Sequence, residues 1–492
     1  MNIGLLLEMA SSLDEGREVI ESGTTTMTAA DLSQLAVRGA AELAGRHEAV
    51  VYVGDHGTAF AVALFAAAAA GVPLVPLNYR LPDEELRALA ARHPNALILA
   101  RDPARLGTGV VDPDAWVGRL SASDADDPHR GADDGDAVAV LLYTSGTTSA
   151  PKAVVLRHRH LSSYIISTVE LGSAEPGERA LLSVPPYHIA GVSNLLSNLY
   201  AGRPITVLDA FSPEAWLARA RERHITHALV VPTMLARLVG HLDGAEAQVT
   251  RLRTLAYGGA RTPPSVLERA MRSFPGVDFV HAYGLTETSS TIAVLGPEEH
   301  RLALIGTEAE RARLASVGRP VPGIEVEIRA VDGSVVPAGV VGRVWLRGDQ
   351  VSGEYVTTGS TLDGQGWFDT RDRGRLDDDG YLFIDGRDDD TIIRGAENLN
   401  PAEIEDVLVG HPGVADAVVV GLPDEEWGEC IAAVVVPSAH PVPIDELRAW
   451  ASERLRSSRR PDVLEAWDDL PRTATGKVIR SQVVARLTGP DA

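Results

Sequence analysis

Up to Pro320 the chain alternates short apolar runs with amphipathic stretches. The runs "AVVYVG" and "PLVPLN" have the unbroken apolar character of strands covered on both faces, whereas "PDEELRALAARH" and "SVLERAMRSF" place apolar residues at helical spacing. Strand and helix in turn predict an α/β architecture. From Val321 to Ile384 the pattern shortens into strands separated by turns, "IEVEIRAVDGSVVPAG" and "VGRVWLRG", which predicts a small antiparallel sheet or barrel. A third block starts near Asp388. It holds the helix "NPAEIEDVLVGH", the strands "VADAVVVGL" and "CIAAVVVP", the helix "IDELRAWASERL" and the tail "PRTATGKVIR", enough for a small separate α+β domain. The acidic "GRDDDT" marks its start, and no repeat of fixed period interrupts the series.

Length and composition narrow the class. A chain of 492 residues exceeds one ordinary hydrophobic core, and 45% hydrophobic with 23% charged residues describes a folded globular protein. The formal charge of -23 repels nucleic-acid phosphates and anionic lipid, so any phosphate bound here must be held locally. The longest apolar stretch, "AFAVALFAAAAAGV", would reach about 21 Å as a helix, short of the roughly 30 Å bilayer core, and predicts a core helix without membrane insertion. The N-terminal "MNIGLLLEMASS" has no cation ahead of its apolar run, unlike a secretory signal. The one cysteine, Cys430, sits in "GECIAAVVV" and is expected in a buried strand. Together these predict a cytoplasmic protein.

The stretch "LLYTSGTTSAPKAV" carries the first chemical signal. A loop after a strand can offer backbone N–H groups and hydroxyls to phosphate oxygens while a lysine supplies charge, work suited to Ser145, Thr147, Thr148 and Lys152. It does not fit the P-loop pattern, since Pro151 precedes the lysine and Ala153 follows it. The histidine pairs "HRH" (His158 to His160) and "HITH" (His224 to His227) each offer two metal ligands with no third evident nearby, which argues against zinc.

Further stretches follow in order: "PPYHIAG", "YGGA", "YGLTE" (Tyr283 to Glu287), "GWFDTRD" ending at Asp372, "DGRDDD" around Arg387 and "PRTATGK" ending at Lys477. With the first loop they make nearly the whole chain resemble the adenylate-forming superfamily of acyl-CoA synthetases, peptide-synthetase adenylation domains and luciferases. The resemblance implies a large N-terminal domain, residues 1–388, of two α/β sheets plus a small β-barrel at about 321–386, followed by a mobile α+β domain, residues 389–492. It implies ATP and Mg²⁺ as well, with coenzyme A as co-substrate.

Residue by residue, the likeness assigns Thr144, Ser145, Gly146, Thr147, Thr148 and Lys152 to the β- and γ-phosphates, and Thr144 and Glu287 to the metal. Tyr283 would stack on adenine, bordered by Gly259 and Ala282, and Thr286 would meet the α-phosphate. Asp372 would accept from the ribose hydroxyls, and Arg387 would support ribose or phosphate. Lys477 would be the adenylation lysine, bridging the substrate carboxylate and the α-phosphate. The loop Arg394 to Asn398, through Gly395, Ala396, Glu397 and Asn398, would serve the thioester step after the C-terminal domain pivots about Asp389.

The acyl pocket would be bordered by His188, Ile189, Ala190, Gly191, Tyr257, Gly258 and Ala282. Amino-acid-activating relatives pair an aspartate with the substrate ammonium; Ile189 stands at that position, so an apolar carboxylic acid is expected. The motifs leave open whether the acyl acceptor is coenzyme A or the pantetheine arm of a carrier protein. Ser149, Ala153, Arg371 and Ala396 stand where the family carries glycine, and a left-handed backbone at Ser149 would cost about 1 kcal/mol.

Overall fold

The computed structural model describes residues 1–123, 133–144, 151–394, 397–424, 427–438, 442–473 and 476–489. Two large mixed sheets organise the N-terminal part. The eight-stranded sheet has Ala49–Val53, Leu74–Pro76 and Val138–Thr144 near its centre, and the nine-stranded sheet is parallel through Ala180–Leu182, His227–Val230, Thr254–Gly258 and Asp278–Leu285. Between the sheets lies the helix Thr58–Ala70, buried from Thr58 to Ala68, so its lack of a polar face reflects burial all round. The N-terminal apolar run forms the helix Gly4–Ser11, whose Leu6, Leu7 and Ala10 join the same core. Among the described residues, no helix is long and apolar enough to cross a membrane.

The turn-rich stretch forms four antiparallel strands, Glu325–Arg329, Gly342–Arg347, Phe368–Leu376 and Leu382–Arg387, in that spatial order. Of the sheet or barrel that the strand pattern allows, the structure takes the open sheet and not the small barrel that the resemblance implied, because its first and last strands do not pair. The C-terminal sheet takes its strands from residue 392 onward and centres on the hairpin Val414–Asp424 and Gly428–Pro437, backed by the helices Pro401–Val409 and Ile444–Arg454. Cys430 lies in that hairpin as expected, but it is only partly buried.

The C-terminal sheet docks onto the N-terminal part through specific contacts. Arg261 reaches the helix Pro401–Val409, pairing with Asp406 and donating to the Ala402 carbonyl at 2.9 Å. Gly476 lies so close to Thr233, in the helix Pro232–Leu242, that a Cβ there would come within 2.2 Å of the threonine hydroxyl. These contacts fix which face of the small domain meets the large one.

Burial also makes stability depend on pH. Burial pushes the imidazoles of His56 and His188 down to about 3, and those of His158, His160, His227 and His281 down to about 4. An unfolded chain takes up these protons near pH 6.5, whereas the fold does not until well below that, so between the two values the unfolded state binds more protons. Stability should therefore be full above about pH 6.5 and fall as pH drops below it. Thermal melting between pH 7 and pH 5 should show a steadily falling midpoint, and a flat profile would contradict this origin.

Candidate active site

The strands Val138–Thr144 and Lys152–Arg157 pair antiparallel with Thr144 opposite Lys152, so the register sets these two residues side by side, the Thr144 hydroxyl 3.4 Å from the Lys152 carbonyl. Both residues line a cavity of about 2100 Å³. Ala153 is buried in the second strand, facing Tyr143, and its carbonyl accepts from Val356 N–H at 3.0 Å. Its methyl therefore fits an ordinary strand position that needs no glycine. Ser145, Gly146, Thr147, Thr148 and Ser149 lie outside the described residues, as do Gly395, Ala396 and the side chains of Asp389 and Asn398.

Glu287 is presented by a single 3-10 turn, Thr286–Thr288, directly after the strand Asp278–Leu285, and both Thr286 and Glu287 line the cavity. Its Oε1 accepts from the Tyr355 hydroxyl at 2.8 Å, and its carbonyl accepts from the Ser352 N–H at 2.8 Å. A strap around residues 352–356 thus holds both ends of this residue. Sequence reasoning missed Tyr355, which lies outside the recognised stretches.

Tyr283 and Asp372 meet directly, the tyrosine hydroxyl donating to Asp372 Oδ2, while Arg387 Nε stands 3.4 Å from Oδ1. Asp372 is 5% exposed. Burial raises its carboxyl above the usual range, opposed by Arg387, and burial together with the Asp372 charge raises the Tyr283 phenol. Arg371, the non-glycine before this aspartate, does adopt a left-handed backbone, φ 61°. The strand Phe368–Leu376 is irregular here, its register slipping between Asp369 and Arg373, and it holds the conformation glycine favours at a cost of roughly 1–2 kcal/mol.

Lys477 lines the same cavity from the C-terminal domain. Its side chain reaches water through the cavity while protein crowds it on the other sides. Burial lowers its ammonium, Arg387 lowers it further, and Asp390 and Asp372 oppose the shift. The lysine thus stands in the electrostatic field of the Asp372 and Arg387 pair. The turn that carries it is closed by Thr473 N–H donating to the Lys477 carbonyl at 2.7 Å and by Lys477 N–H donating to the Thr473 hydroxyl at 3.0 Å. Arg394, at the start of the loop assigned to the second step, pairs with Gly428 at the far end of the C-terminal hairpin, whereas Arg472, near Lys477, binds Asp416 close to the hairpin's other end. Glu397 follows on the short strand Glu397–Leu399, within 3.6 Å of Arg459.

The residues expected to border the acyl group divide between two faces. His188, Ile189, Ala190, Gly258, Gly259 and Ala282 line the cavity. Tyr257 does not: its ring is 1% exposed, stacked on His281 and bonded to His300 Nε2 at 2.9 Å on the opposite face of the sheet. Strand alternation is the reason, since its neighbours Ala256 and Gly258 take the cavity side. Gly191 also faces away, its missing Cβ directed at the Pro185 carbonyl and His56. Among the described residues, no cluster of three or more metal-ligating side chains of histidine, cysteine or carboxylate type occurs.

The hydroxyls of Thr144 and Thr286, the Glu287 carboxylate, Arg387 and a lysine from the C-terminal domain thus share one cavity, with the buried Asp372 behind its wall beside Arg387. The sequence profile of the AMP-binding enzyme family matches residues 8–356, and that of the AMP-binding enzyme C-terminal domain matches residues 403–477. The chain belongs to this family. It is 34% identical over 463 residues to the fatty acid–[acyl-carrier-protein] ligase of Streptomyces coeruleorubidus, covering 90% of this chain and 87% of that one. It is 34% identical over 484 residues to the feruloyl-CoA synthase of an Amycolatopsis species, covering 95% of both. Among solved structures, o-succinylbenzoate CoA synthetase of Bacillus subtilis, bound to its acyl-adenylate intermediate, superposes with a TM-score of 0.84 at 28% identity over 98% of both chains.

Proposed function

We propose that this family member is an ATP-dependent acyl-CoA synthetase that converts a carboxylic acid to acyl-AMP with release of pyrophosphate and then to the coenzyme A thioester. The observation that carries the reading is Lys477 of the C-terminal domain on one cavity with Thr144, Glu287 and Arg387 of the N-terminal domain. Its likeness to a feruloyl-CoA synthase over nearly its whole length supports the same chemistry.

The residues suit the groups this chemistry needs. Thr144 and Glu287 supply hard oxygen donors, and among the described residues the Glu287 carboxylate accepts from Tyr355 alone, which leaves Oε2 for a cation. Mg²⁺ held there would neutralise charge on the phosphates. Asp372 would exchange its bond to Tyr283 for ribose hydroxyls, with Arg387 fixing its orientation. Lys477 would lie between the incoming carboxylate and the α-phosphate, offsetting the repulsion of two anions. A carboxylate oxygen bonds to the α-phosphorus as the bond to the β-phosphate oxygen breaks and pyrophosphate leaves. The thiol sulfur then bonds to the acyl carbon, AMP departs with the electrons of the C–O bond, and the thiol proton passes to solvent. For the second step the C-terminal domain would pivot about Asp389, bringing the 394–398 loop to the site.

The carrier-protein ligase among the relatives favours a second reading, in which a carrier's pantetheine thiol replaces coenzyme A. A pyrophosphate-release screen over fatty, aryl and alicyclic acids, followed by thioester detection with coenzyme A or with purified carriers, tests both. Thioester formed only on carriers would overturn the coenzyme A assignment, and no pyrophosphate with any acid would overturn activation itself. Tyr355→Phe frees one oxygen of Glu287; we expect a several-fold rise in the Mg²⁺ concentration giving half-maximal pyrophosphate release, with little change in melting temperature. An unchanged Mg²⁺ requirement would deny Tyr355 this positioning role.

A further inference from the structure

The cavity does not end at the nucleotide side. It continues along the open face of the nine-stranded sheet, from Gly258 at the carboxyl end of its strand and its neighbour Ala282 to Thr254 and His227 at the amino ends of theirs, which stand opposite each other in register. The helix Ile189–Ala201 forms the opposing wall, presenting Ala190, Asn194 and Ser197 at helical spacing. Two independent rulers agree on the reach. The four steps along the strand from Gly258 to Thr254 span about 13 Å, and the eight steps along the helix from Ile189 to Ser197 span about 12 Å.

The near part of this channel is floored by Gly258, Ala282 and Ala256, and the far part adds the polar Asn194, Ser197, Thr254 and His227 beside the apolar Ala180 and Val169. Asn194 and Ser197 are half-buried, on a helix whose Leu195, Leu196, Asn198 and Leu199 are buried. Arg203 donates to Asn198 Oδ1 at 2.9 Å, and Asn198 Nδ2 donates to Asn194 Oδ1 at 3.1 Å, so the Asn194 amide is oriented with its N–H groups left over. Among the described residues, those N–H groups and the hydroxyls of Ser197 and Thr254 have no protein partner. Half-buried polar groups left this way favour a ligand that can pair with them.

The end wall carries no surplus charge. Glu178 takes Arg203 through two contacts, at 3.0 and 2.8 Å, and also meets Arg253, which Glu175 engages at 2.8 Å. His227 is kept neutral by burial and by Arg203. Thr226 directs its hydroxyl hydrogen to the Arg179 carbonyl at 3.1 Å, so His227 Nδ1, 2.9 Å away, donates to Thr226 and leaves Nε2 as an acceptor. Donors, an acceptor and electrical neutrality together suit a hydroxyl and disfavour a second carboxylate.

We propose that the acid activated here is a monocarboxylic acid carrying a neutral hydrogen-bonding group, a hydroxyl foremost, about 12 Å from its carboxylate, received by Asn194, Ser197 and His227. The proposal rests on the acid-activation reading, and the experiment separates the two. Pyrophosphate release would be measured with decanoic, ω-hydroxydecanoic and decanedioic acids. The hydroxy acid should exceed decanoic acid in kcat/KM by about tenfold or more. The Asn194→Leu/Ser197→Ala variant should lose on the hydroxy acid and gain on decanoic acid, reversing the order. Thr254→Val, a milder change at the same end, should narrow the preference without reversing it. Release that is equal or greater with decanoic acid, or greatest with decanedioic acid, would overturn the channel assignment while leaving activation intact. No release with any acid would remove both.

Discussion

Lys477→Ala should lower the rate of acyl-AMP formation by roughly a hundred- to a thousandfold while sparing thioester formation from supplied acyl-AMP. The expectation follows from where the charge stands. Lys477 reaches the cavity from a separate domain, beside Asp372 and Arg387, where two anions must approach each other. Its loss removes a cation from the first transition state, whereas the second step, attack of a thiol on an already neutral acyl carbon, has no comparable need. Equal loss of both half-reactions would show that the substitution damages the protein generally and would refute the separate assignment.

Gly476→Val should slow acyl-AMP formation by about tenfold or more, again with the second half-reaction spared, although it removes no charge. Gly476 has φ 82° and abuts Thr233 Oγ1 and Cγ2. A side chain here is strained by about 1 kcal/mol or more through the backbone alone, and it cannot share the space that Thr233 fills. The lysine-bearing turn must then withdraw from the large domain. Combining it with Thr233→Gly opens that space and should restore part of the lost rate. No effect of Gly476→Val on either half-reaction would mean that this docked arrangement is not the one in which the acid is activated.

Much of the architecture was legible in the sequence because periodicity and burial agree. The uniformly apolar "AFAVALFAAAAA" could only be a helix covered on every side, and "NPAEIEDVLV" forms the helix expected of it, capped in the structure by Asn400, whose side chain accepts from Ala402 N–H at 3.0 Å. The open four-stranded sheet was not distinguishable from a barrel, because closure depends on pairing between first and last strands, which strand patterns do not encode. Tyr257 went astray for a related reason: in a parallel strand apolar on both sides, "TLAYG" gives no sign of which residues face the ligand and which the helices behind.

The site divides in the same way. Thr144, Glu287, Asp372, Arg387 and Lys477 stood in recognisable stretches, and the fold gathers them around one cavity and its wall. Tyr355 and Thr233 act across long sequence separations through single contacts, which local patterns cannot reveal. The channel did leave a trace. In "IAGVSNLLSNLYA" the polar Ser193, Asn194, Ser197 and Asn198 recur at helical spacing on a helix otherwise apolar enough for the core. A polar stripe in that setting signals a cavity or a partner rather than solvent.

On the proposed mechanism the acid is activated by transfer of AMP within a cavity completed by Lys477. Mixing enzyme, Mg-ATP and a competent acid without coenzyme A, and quenching within the first turnover, tests it most directly. Acyl-AMP and pyrophosphate should appear in equal amounts, close to one per enzyme, and the acyl-AMP should discharge to thioester when coenzyme A is added. Release of ADP and phosphate instead, or thioester formation with no acyl-AMP preceding it, would contradict it.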